Sequence, residues 1–201
     1  MVKFSVGDDI EKQVSKVIVH EFSRCTLAFD FFIMYGPRNH NQFEHQDMQT
    51  KLLRYNSYAL FIQHLYEYFI ACLKRDYRET KEIDPVTVDV MIITEVNKIL
   101  RKWREGIDGG WAPKWANHRS YYEDQCPDEF GKDFRQIRNS LSHADYRRIH
   151  GGNRITLTEF YKKYHKYVIL LYYNGREWWS IQKNEKIDLG DITDFSTLIY
   201  K

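Results

Sequence analysis

Cysteine is scarce. The chain has three, Cys25, Cys72 and Cys126, in 201 residues. The number is odd, the separations are wide, and no pair has metal-ligand spacing. A disulfide framework is therefore excluded, and a reducing, cytoplasmic setting is expected. A dominant charge is lacking too: 30 basic residues against 28 acidic ones leave a net +2. No global attraction to a polyanion follows, so any affinity for nucleic acid must come from a local patch. Long hydrophobic runs are absent. The longest, Tyr167 to Tyr173, is far short of the roughly 20 residues that span a bilayer. No basic-then-apolar leader pattern opens the chain, so no membrane attachment is expected. There is no internal repeat, Gly-rich phosphate loop, nucleophile elbow or zinc motif. His20-Glu21 begins like a zincin motif, but Arg24 stands where the second His belongs. No metal or cofactor is expected.

What remains is helical periodicity and a large share of aromatic residues, led by tyrosine. The length suits one domain with a sizeable core. Asp8 to about Tyr35 is predicted as a first helix, capped by Asp8 or Asp9 and stopped by Gly36-Pro37. A second runs from about Gln46 to Arg78. Its apolar stripe is Leu52, Tyr55, Ala59, Ile62, Tyr66, Phe69 and Leu73, and its polar face holds Asn56, Gln63 and Glu67. His64 stands three residues before Glu67. Asp84-Pro85 opens a third helix as N-cap and first-turn proline. From Gly106 to Gln125 a long connection carries Trp111, Trp115, Tyr121 and Tyr122 among Lys114, His118 and Arg119. These aromatics either cover the core or stack on a single strand of nucleic acid.

The richest stretch is Asp133 to Tyr146, DFRQIRNSLSHADY. Phe134, Ile137, Leu141 and Ala144 fall at helical spacing, and Pro127, Asp128 and Glu129 suit a helix start. Asn139 and His143 then share a face, with Arg138 and Ser142 beside them. A guanidinium suits a phosphate and stays charged. An imidazole titrates near neutrality and moves protons. An amide can fix the ring or bind a substrate oxygen. Together they form a kit for phosphodiester cleavage without a metal. After this helix, Arg147 to Ile149 and Arg154 to Leu157 flank Gly151-Gly152 and read as a short hairpin. It would place Arg147, Arg148, His150 and Arg154 as phosphate contacts near His143. Thr158, Glu159 and Phe160 begin a last helix, and Asn174-Gly175 reads as a turn. Beyond it comes an irregular appendage. The expected organisation is a bundle over 1–173 and an appendage over 174–201, one domain in all.

Arg138-Asn139-Ser140-Leu141-Ser142-His143 resembles the RNxxxH signature of the HEPN superfamily of small helical domains. The resemblance implies a mainly α fold, a bundle of four to five helices, with the motif on a late helix. It implies a metal-independent RNA endonuclease whose site forms across a homodimer, with Arg138, Asn139 and His143 catalytic. In that family a polar residue of an early helix often faces the site, and Glu67, then His64, is the candidate here. Toxin-antitoxin or antiviral roles, with an antitoxin or regulatory partner, go with such domains. The alternative is a non-catalytic module of the same type that binds RNA or a nucleotide, or dimerises.

Overall fold

The computed structural model describes residues 3–35, 47–142, 154–180, 188–190, 192 and 194–195. Among them are five α-helices and one 3-10 helix, and no strand beyond an isolated bridge between Lys3 and Glu79. The helices are α1 (Asp9–Met34), α2 (Met48–Tyr77), α3 (Pro85–Asp108), α4 (Phe130–Ser142) and α5 (Leu157–Trp179); the 3-10 turn is Arg119–Tyr122. No helix among the described residues is long and apolar enough to cross a membrane. The chain divides into two compact units, Met1–Glu82 with Gly175–Lys201, and Ile83–Asn174.

Helix starts follow their local chemistry. Asp8, Asp47 and Asp84 cap α1, α2 and α3, each accepting from a backbone N–H three residues on. That bond satisfies one of the donors a helix start leaves unpaired. Thr156 and Glu159 form a reciprocal capping box at the start of α5: Glu159 accepts from the Thr156 N–H at 2.8 Å, and Thr156 Oγ1 accepts from the Glu159 N–H at 3.2 Å. The expected second arm of the hairpin is therefore no strand. Its residue 156 is the cap, and Leu157 is already helical. The other arm, and Gly151-Gly152, lie outside the described residues.

In the first unit α1 and α2 are antiparallel. Phe32 near the end of α1 meets Tyr58 near the start of α2 at 4.8 Å between rings, while Glu11 near the start of α1 bonds Arg75 near the end of α2. Ile18, Phe22, Phe61, Ile62 and Leu65 are fully buried there. The predicted turn at Asn174-Gly175 is instead helical, since α5 continues to Trp179. Tertiary packing overrides the turn signal. A Cβ on Gly175 would sit 2.7 Å from Phe22 Cε2 and 2.9 Å from Tyr68 Oη, so only glycine lets the helix come this close.

In the second unit, Val88, Ile92, Val96, Ile99 and Leu100 form the buried face of α3. Phe130 and Phe134 of α4 stack among Phe160, Tyr164 and Tyr167 of α5, with ring centroids 5.1–6.2 Å apart. Such offset and tilted pairs add to plain area burial.

Candidate functional site

Helix α4 carries the motif, and three contacts fix how it is seated. First, Gly131 lies directly on the backbone of α3. An added Cβ would fall 2.2 Å from the Asp89 carbonyl oxygen. Second, Arg135 forks onto the Asp89 carboxylate, with Nη2 to Oδ2 at 2.8 Å and Nε to Oδ1 at 3.0 Å. Asp89 is nearly buried, so this planar two-point pairing takes place largely away from water. Third, the Tyr164 hydroxyl donates to Asp133 Oδ2 at 2.6 Å. Burial, and then the Asp133 carboxylate, push the Tyr164 phenol well above its ordinary pKa, so it remains a donor at every working pH.

This seating turns Phe130, Gly131, Phe134, Ile137 and Ser140 inward and leaves Arg138 and Asn139 half-buried on the polar edge. Arg138 Nη1 donates to Asn139 Oδ1 at 2.9 Å, and Ser142 Oγ donates to the Arg138 carbonyl at 3.0 Å. Phe134 and Ile137 of the expected inward set are buried, Ala144 lies outside the described residues, and Leu141 departs from the expectation. Ser140 is buried, its hydroxyl returned to the Ile137 carbonyl at 2.8 Å, while Leu141 is half-buried. A serine that satisfies itself locally tolerates the core side of a helix. The structure thus brings Arg138 and Asn139 together. His143 lies outside the described residues, as do Arg147, Arg148 and His150. Arg154 is described and exposed, just before the cap of α5.

The two candidate supporting residues are on α2, in the first unit. Glu67 is half-buried. His64 is buried, and its Nδ1 lies 2.9 Å from Glu21 Oε2 on α1. Burial alone would raise the Glu21 carboxyl. The hydrogen bond and charge of His64, aided by Arg24 at 3.4 Å, hold it below its ordinary value. An ionised Glu21 can only accept, so His64 Nδ1 is the donor of this bond. Sequence reasoning missed Glu21, which stands 43 residues from His64 and carries no local mark of the pairing.

The aromatic connection after α3 is divided: Tyr122 covers core, whereas Trp111 and Trp115 are mostly exposed. Tyr122 is buried and stacked on Trp103 at 5.4 Å, and the Trp111 ring lies over Gly106 and Gly109. Arg119 is paired with Asp108 and Glu123, each at 2.7 Å. Compared with family models, with curated proteins and with solved structures, the chain matches none.

Proposed function

We propose that the chain is a metal-independent RNA endonuclease of the HEPN type. The observation that supports this reading best is the pairing of Arg138 with Asn139 on the outward edge of an amphipathic helix whose sequence continues to His143. A guanidinium carries five N–H donors in a fixed fork, a geometry that suits a phosphate. In the proposed reaction the ribose 2′-hydroxyl attacks the adjacent phosphorus and the bond to the 5′-oxygen breaks. His143 removes the 2′ proton or supplies one to the departing 5′-oxygen. Arg138 stabilises the extra negative charge that develops on the phosphoryl oxygens. Asn139 holds Arg138 and a substrate oxygen in register. The products carry a 2′,3′-cyclic phosphate and a 5′-hydroxyl.

One Arg and one His make a sparse site, so two copies across a symmetric homodimer are the functional unit in this proposal. A toxin or antiviral effector restrained by a partner chain is the biological setting that suits such an enzyme. Paired variants test the reading. His143→Ala is expected to abolish cleavage while leaving RNA affinity within a few-fold of native. Arg138→Ala is expected to reduce both. Affinity lost in Arg138→Ala, with no cleavage by native protein under any condition, would instead establish a non-catalytic binding module.

A further inference from the structure

Trp115 is 74% exposed, yet its ring packs against another. Its centroid lies 5.5 Å from that of Trp103, edge to face at 67°. Trp103 in turn stacks on Tyr122 at 10° between planes, and the Tyr122 carbonyl accepts from Arg104 Nη1 at 2.6 Å. Tyr121 packs against Tyr122 at 5.1 Å and lies under the Lys166 ammonium at 4.8 Å. The exposed indole is thus the outer end of a ladder of rings rooted on α3 and α5. An exposed side chain with nothing to bind gains little from such anchoring. A stacking surface gains a great deal, because less rotamer freedom is lost on binding. Next to it, Lys114 is exposed and forms no ion pair among the described residues, which leaves a cation for a backbone phosphate.

We propose that Trp115 is a base-stacking platform for single-stranded nucleic acid, a subsite remote from Arg138. The inference rests on the RNA-cleaving reading and adds a place for the strand away from the reacting phosphate. Arg135, one turn before Arg138, grips Asp89 near the start of α3, while Trp103 is near its end. The fourteen helical steps from Asp89 to Trp103 span roughly 21 Å at the α-helical rise. A strand stacked at 3.4 Å per nucleotide covers that distance in about six nucleotides. Stacking reads no sequence and tolerates either sugar, so DNA binds the platform as RNA does.

The test uses fluorescence anisotropy with labelled single strands of oligothymidine DNA, three to twelve nucleotides long. Lacking a 2′-hydroxyl, they are not consumed. Native protein is expected to bind strands longer than about six nucleotides more tightly than shorter ones. Trp115→Ala is expected to lose that step, with a loss of roughly 5- to 100-fold on the twelve-mer. Trp115→Phe should keep most of it. The position is exposed and one ring pair is lost, so melting temperatures should agree among the three to within a few degrees. A twelve-mer bound equally well by native protein and Trp115→Ala overturns the platform; if Arg138→Ala still weakens RNA binding, the RNA reading survives. Failure of native protein to bind any DNA or RNA strand overturns both. An exposed indole that serves a protein partner gives the first of these two results.

Discussion

Replacing Gly131 by alanine tests how α4, and with it Arg138, is held. The new Cβ would sit 2.2 Å from the Asp89 carbonyl oxygen and 2.6 Å from its carbonyl carbon and Cα. Ordinary contact begins near 3.4 Å, so α4 has to retreat by about 1.2 Å. The obstacle is helix backbone, which cannot rotate aside as a side chain can. Overpacking of this kind costs about 1–3 kcal/mol, with the upper end expected here. Retreat also strains the Arg135–Asp89 fork, which is built on the adjoining turn. Alanine's helix preference returns at most about 1 kcal/mol. The net expectation is a loss of roughly 2 kcal/mol, read as a fall of about 1 M in the urea midpoint by far-ultraviolet ellipticity. Lys132→Ala, an exposed change on the same turn, should move the midpoint little. If Gly131→Ala unfolds at or above the native urea concentration, the close seating of α4 on α3 is wrong.

Other consequences are equally direct. Asp89→Ala removes the partner of a fork that is only partly exposed, and a loss of about 2 kcal/mol in urea unfolding is expected. Thr156→Ala breaks the α5 capping box and should lower stability by about 1 kcal/mol in the same assay. Gly175→Ala meets side chains rather than backbone, so it should cost less than Gly131→Ala. Burial lowers the His165 imidazole to about 4. An unfolded histidine takes up its proton near 6.5, so the stability held by the neutral ring is complete above that pH. It is lost as pH falls from 6.5 toward 4, by roughly 3 kcal/mol in full. Between pH 7 and 5, native protein should therefore lose more melting temperature than His165→Phe. An equal loss in both would show that His165 titrates normally.

Much of the fold is legible in the sequence because its signals are local. Asp8 and Asp84-Pro85 mark helix starts. The start of α5 is just as local, since Thr156 and Glu159 have capping-box spacing; the expected start at Thr158 falls one residue inside the helix. Gly151-Gly152 offered a competing hairpin signal, and the described part of its second arm leads into the cap instead of a strand. Asn174-Gly175 has every mark of a turn until Phe22 and Tyr68, distant in sequence, make glycine necessary inside a helix. Of the candidate site, Arg138 and Asn139 were legible from the periodicity of their helix. Glu21 beside His64 was not, because such a pair depends on how α1 and α2 lie together. Gly131 carries no sequence mark either, since its role is the absence of an atom.

The central claim is tested most directly by incubating the purified protein with single-stranded and transfer RNA in excess EDTA, beside matched DNA and the His143→Ala variant. Metal-independent cleavage by the 2′-hydroxyl predicts cutting of RNA alone, 2′,3′-cyclic phosphate ends, and no products from the variant. Cutting of DNA, dependence on a divalent cation, or equal activity in His143→Ala would contradict it.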